Sequence, residues 1–291
     1  GGAGNVTINT ALALGYGGLV MNGTGLLTLA GANTYSGDTV INSGTVKLGA
    51  STALSATTVL RVNSGGTLDL GNFSTSNMTA PAYLNGGVIQ NGTFNLNINT
   101  LYATSGTVSA VIAGDGGSLD GSLFKSGTGT LLLSGSNTFS RAAYVNGGTV
   151  LYGRNDVLGS GTLSISGATV DMAGYTDTIS ALVMSSGTLA GTSASGLTAT
   201  SYAFTNSGLV SANLKGSVAL TKSGTGTLIL SGSNTYSGGT YVTGGTLALS
   251  SSNAITSGSV QVDGAVVDLS TYTVGSGAFV MSSGTLAGTT G

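Results

Sequence analysis

Ser223–Leu249 reads SGTGTLILSGSNTYSGGTYVTGGTLAL, and nearly the same string occurs twice more. Ser126–Tyr152 reads SGTGTLLLSGSNTFSRAAYVNGGTVLY, and Asn22–Leu48 reads NGTGLLTLAGANTYSGDTVINSGTVKL. The three starts lie 104 and 97 residues apart, and a second string, VMSSGTLAGT, begins at Val183 and again at Val280, also 97 apart. Self-similarity at a fixed period is read before any other signal, because it decides the architecture. The chain holds nearly three copies of a unit of about one hundred residues, at roughly 1–104, 105–206 and 207–291.

A shorter period lies inside the long one. Apolar pairs at i and i+2 share one side of a strand. They recur as Leu27/Leu29, Val46/Leu48 and Leu68/Leu70, then as Leu131/Leu133, Val150/Tyr152, Val170/Met172 and, more weakly, near Thr188/Ala190. The step is about 20 residues, five steps to a long repeat. A unit this small cannot bury its own apolar side; turns must stack to build a core. The spacing predicts an all-β fold, a right-handed parallel β-helix (solenoid) running as one continuous body over 1–291. The right hand follows from the general preference of parallel β connections. About fourteen turns at ~4.8 Å would make a rod on the order of 65–70 Å long.

Composition agrees. Charged residues are 5% of the chain, against about 25% in ordinary domains. Glycine supplies 52 of 291 residues, and Ser, Thr, Asn, Val and Leu supply most of the rest, which disfavours helix. The hydrophobic share of 40% comes in short β-branched runs, so the low charge does not signal disorder. Seven basic residues are scattered and the net charge is −2, which argues against nucleic acid as a partner. No apolar run reaches the roughly 18 residues of a membrane helix. The opening Gly-Gly-Ala-Gly is expected of an excerpt or a processed product.

Aligning the copies assigns faces. Leu27, Leu131 and Leu228 form one column and Leu29, Leu133 and Leu230 another, both expected in the core. The column between them, Thr28, Leu132 and Ile229, should face outward. Ile41, Val145 and Val242 are likewise expected in the core. Gly44, Gly148 and Gly245 precede a strand, where a corner with positive φ would require glycine. Asn33, Asn137 and Asn234 precede a Thr-aromatic-Ser triplet and are expected as stacked corner residues.

The stretch from Gly224 through Leu247 resembles the passenger-associated transport repeat of Gram-negative autotransporters, which looks like G-x-G-T-L-x-L-S-G-x-N-T-Y-S-G-x-T-x-V-x-x-G-T-L. The stretches from Gly127 and Gly23 match a little more loosely, and the middle one departs at its corner, with Arg141-Ala142. The resemblance implies a passenger carried to the cell surface by a C-terminal outer-membrane barrel lying outside this sequence. It implies an adhesin, an autoaggregation factor or a stalk, extracellular on a Gram-negative bacterium. A self-assembling filament or matrix protein is the alternative reading.

Chemistry is sparse. With no His and no Cys there is no general base for a nucleophile and no soft or imidazole ligand for zinc. No catalytic residue and no cofactor is expected, and the chain is not expected to be an enzyme. Asp115 and Asp120, in AGDGGSLDG, faintly suggest a calcium loop, with a solvated turn as the plainer reading. Asp69, Asp171 and Asp268 recur at equivalent strand positions and are expected to face outward. Asp171, Asp177 and Arg154 are the nearest grouping to a polysaccharide-lyase site, and nothing in the pattern orders them. Tyr35, Phe139 and Tyr236 recur at one corner, to staple it or to stack on sugars. Asn-x-Ser/Thr triplets at Asn22, Asn72, Asn77 and Asn91 are expected by chance in such a composition. What remains is polar surface: Thr, Ser and Asn ladders suited to self-association or to contact with cell-surface glycan.

Overall fold

A computed structural model describes residues 4–114, 121–275 and 277–288. Every regular element among them is a strand, and the strands pair in parallel, turn upon turn, as a β-solenoid of about fourteen turns of roughly 20 residues. Two main strands form each turn. In one turn Thr39–Ile41 makes the first side, Asn42 and Ser43 the corner, and Gly44–Leu48 the second side. The third side is mostly loop, and carries the Asn-Thr-aromatic triplets. By contacts the chain divides into two compact units, residues 1–143 with 157–159, and residues 144–156 with 160–291.

In the first unit the second side stacks Leu27, Val46, Leu68, Ile89, Val108 and Leu133 in one inward column. All are buried, and all but Leu27 have no solvent exposure. The first side stacks Met21, Ile41, Val62, Leu84, Ala103 and Lys125. A short third-side pair joins Thr93–Asn95 to Val111–Ala113.

In the second unit the second side stacks Val150, Val170, Leu189, Val210 and Leu230, and the first side stacks Ile165, Met184, Phe204, Lys222, Val242 and Val262. Thr176–Thr178, Gly196–Thr198 and Asn213–Lys215 make a three-stranded third side. Here the sequence reading near Thr188/Ala190 needs correcting by one position. Leu189 lies against Val170 and is fully buried, while Thr188 and Ala190 stay half-exposed. A one-residue change of phase exchanges the faces, and the apolar residue takes the inner one.

The nine core positions read from the sequence, Leu27, Leu29, Ile41, Leu131, Leu133, Val145, Leu228, Leu230 and Val242, are all buried. Ile229, between two of them, is 38% exposed. Gly44, Gly148 and Gly245 have φ of 67, 62 and 64°. A Cβ at Gly44 would come within 2.3 Å of the Gly23 carbonyl oxygen of the turn before, so both backbone conformation and space call for glycine.

The copies are not related by simple stacking. By sequence Leu131 is the counterpart of Leu27. In space the column descending from Leu27 reaches Leu133, and Leu131 lies against Gly106. The second unit repeats the step: Val210 lies against Leu230, and Leu228 against Gly208. The first side keeps its register, with Leu101 against Leu123 and Tyr202 against Leu220. Each new copy therefore shifts its second side by two residues, about 7 Å along the strand. A shift of two keeps every side chain on its own face.

Candidate functional site

The third-side asparagines hold turns together from inside. Asn33, Asn137 and Asn234 are buried at 7%, 6% and 1% exposure. Each side-chain oxygen accepts from a backbone N–H of the turn before, on Leu12, Ile112 and Leu214, at 2.7–2.8 Å. Each amide N–H donates to a carbonyl of the turn after, on Ala53, Val157 and Ala254. They do not stack on one another; each bridges its own two neighbouring turns.

The aromatics beside them are also interior. Tyr35 and Tyr236 place their hydroxyls 2.8 Å from the hydroxyls of Thr39 and Thr240. The middle copy has Phe139 with Ala143, so hydroxyl and partner are lost together. All three rings are buried and offer no face to a sugar.

The aspartates do not converge. Asp69, Asp171 and Asp268 each accept from the backbone N–H two residues on, at 2.8 Å, closing a turn at the strand's end. Asp177 is 2% exposed and accepts from the Thr178 N–H at 2.8 Å. Burial, together with the neighbouring Asp177 carboxylate, pushes the Tyr152 phenol well above its usual range. Arg154 is exposed and donates to the Asn155 carbonyl. Asp171, Asp177 and Arg154 thus form no common site. Asp115 and Asp120 lie outside the described residues. Among the described residues no three His, Cys, Asp or Glu side chains cluster as for a metal ion.

What the first unit does assemble is a surface. On the outward column of its first side, Val20, Val40, Arg61, Tyr83, Tyr102 and Phe124 follow one another. The Arg61 guanidinium lies 4.5 Å over the Tyr83 ring and bonds the Asp38 carboxylate at 3.0 Å. Tyr83 and Tyr102 stack with centroids 5.3 Å apart, and Phe124 follows at 5.8 Å, tilted. Two residues along each strand runs a second row. Asn42 donates its side-chain amide to Asn22, Asn63 to Asn42 and Asn85 to Asn63, at 2.7, 2.7 and 3.1 Å, and the Thr104 hydroxyl donates to Asn85 at 3.3 Å. The four amides and the three rings thus overlap at the Tyr83/Asn85 turn, and together the two rows extend over about six turns, some 24 Å.

These rows are written in the sequence only across turns. Arg61, Tyr83, Tyr102 and Phe124 fall in dissimilar segments, and only the 19–22-residue step brings them into line. The same steps applied to outward positions would have found them.

Known proteins supply the context. The family model described as Passenger-associated-transport-repeat matches residues 19–48, 123–151 and 220–249. The Adhesin BmaC autotransporter of Brucella suis biovar 1 (strain 1330) is 32% identical over 228 residues, which cover 76% of this chain and 6% of that protein. The chain therefore spans a small part of the relative's length. No solved structure gives a significant match.

Proposed function

We infer from the premise that this chain is an autotransporter passenger region, built on three passenger-associated transport repeats, that it works as an adhesin-like contact element on the outside of a Gram-negative cell. Its role is contact and not catalysis. The observation that carries this reading is the double row on the first unit. Asn42, Asn63 and Asn85 each spend one N–H and one lone pair on their neighbours and keep one of each for a partner. The offer repeats every turn, about 4.8 Å apart, and the ridge of rings continues from the last amide, where Tyr83 stands beside Asn85. An extended polymer with hydroxyls at a similar repeat, such as a surface polysaccharide, can be held at many weak points whose effects multiply.

The test is a binding assay of the purified chain on immobilised cell-surface polysaccharides, with sedimentation across protein concentration. The comparison variant is Tyr83→Ser/Tyr102→Ser/Asn63→Ser. Binding by the wild type and a loss of tenfold or more in the variant is the expected result. Equal binding by both places the contact elsewhere. Self-sedimentation of the wild type without glycan binding, again lost in the variant, assigns the same face to a second copy of the chain. A wild type that neither binds nor sediments is a spacer, and the proposal fails.

A further inference from the structure

Two lysines lie in the core. Lys125 and Lys222 have no solvent exposure and occupy the inward first-side column, in line with Ala103 above one and Phe204 above the other. A buried ammonium is costly unless its donors are satisfied. The Lys222 Nζ donates to the carbonyls of Ser223 at 2.6 Å, Gly224 at 3.2 Å and, one turn on, Gly244 at 3.0 Å. The Lys125 Nζ donates to Ser126 at 2.7 Å and Gly127 at 3.3 Å.

Both sit where the second side changes register. In most turns the inward residue of the first side is followed five or six positions later by its continuation in the second-side column, as from Phe204 to Val210. From Lys222 that column resumes at Leu230, and from Lys125 at Leu133. The corner between is two residues longer, and the ammonium fills it with a charge that only inward-turned carbonyls can satisfy.

We propose that Lys125 and Lys222 are register pins: internal cations that hold the enlarged corner at the start of a copy and so fix the two-residue offset of the strand that follows. A buried polar group that must find its partners is a known way to choose one register among several of similar apolar burial. The unshifted alternative would put Val210 against Leu228 and still bury leucine, so apolar packing alone discriminates weakly. The carbonyls reached by Lys222 come from its own corner and from the next turn, and that set exists only with both corners in place.

The chain has no cysteine, so engineered pairs report register cleanly. Leu209 lies against Ile229 in the observed register; the unshifted register would put it against Thr227. With Lys222 present, Leu209→Cys/Ile229→Cys should cross-link and Leu209→Cys/Thr227→Cys should not. In Lys222→Met, which copies the chain's own Met21 at that position, the second pair should rise from background to a yield comparable with the first. Exclusive 209/229 cross-linking in Lys222→Met overturns the proposal. If Lys222→Met does not fold, the same two pairs are read in Lys222→Gln, which is uncharged and shorter, with the same criterion.

Discussion

The first-side outward column runs Val20, Val40, Arg61, Tyr83, Tyr102, Phe124 in the first unit and Ser164, Val183, Ala203, Thr221, Tyr241, Gln261 in the second. The inward columns of both units are Leu, Val, Ile and Met apart from one lysine each, with Ala103 in the first and Phe204 in the second. Packing demands the same of every turn, so the inside is uniform. Nothing in the fold demands aromatic stacking outside; the first unit places Tyr83 on Tyr102 with Phe124 beside it, while from Ser164 to Gln261 the column of the second unit sets Tyr241 between Thr221 and Gln261. Function in such a molecule is to be looked for where the copies differ on the outside.

The largest expected effect separates the units from within. The second unit buries Tyr152, Tyr202 and Tyr236; of the recurring corner tyrosines, the first unit buries Tyr35. Burial, the leading cause, raises Tyr202 and Tyr236 to about 12 from an ordinary value of 10.0. In that window the folded chain keeps protons that the unfolded chain releases. Stability is therefore full below pH 10 and falls as pH rises toward 12, by on the order of 2–3 kcal/mol for each such tyrosine. Lys125 and Lys222, lowered by desolvation, act with the opposite sign below 10.5. Phenolate absorbance followed with far-UV circular dichroism should show a fraction of tyrosine ionising only as the β signal is lost. Pulse proteolysis should cut the second unit first. Tyr236→Phe/Thr240→Ala, the pairing already present at Phe139 and Ala143, should move the transition to higher pH. Titration of every tyrosine near 10 with the β signal intact would contradict this.

The next effect should be the same in both units. Leu133→Ala and Leu230→Ala each remove a fully buried side chain from an equivalent column, at a cost of about 2–5 kcal/mol. Their outward neighbours, as Leu132→Ser and Ile229→Ser, should stay within about 0.5 kcal/mol of wild type. Urea unfolding measures all four. A large gap between the two core variants would mean that the units are held by different interiors.

These contrasts also mark what the sequence makes legible. Alternation within a strand and recurrence between copies tell inside from outside, and that sufficed for the leucine columns and the corner glycines; recurrence also singled out Asn33, Asn137 and Asn234, but as stacked corner residues and not as buried bridges between turns. The two-residue offset escaped because the alignment of copies places Leu131 under Leu27, whereas the strand meets Gly106 there. Lys125 and Lys222 escaped because a charged residue is read as solvent-facing by default, and only the carbonyl-lined corner makes the interior habitable for it. The Arg61–Tyr83–Tyr102–Phe124 row escaped because its members share no local motif. Asp177 was grouped with Arg154 by proximity in sequence, and the turn between them carries one inward and the other out.

The smallest effect tests the outside of the first unit alone. Arg61 and Asp38 are 40% and 46% exposed, and an ion pair so wet contributes at most about 1 kcal/mol, less in salt. The guanidinium over Tyr83 adds about 0.5–1 kcal/mol at an exposed site. Double-mutant cycles separate the two: Arg61→Gln with Asp38→Asn reports the ion pair, and Arg61→Gln with Tyr83→Leu reports the stacking. The first coupling should vanish at molar salt, because mobile ions screen charges that water already surrounds. The second should keep more of its value, since part of it is contact between guanidinium plane and ring, which salt does not reach. A Tyr83 coupling that disappears with salt as fully as the Asp38 coupling would mean that the arginine is held by charge alone, and that the row of rings begins at Tyr83 and not at Arg61.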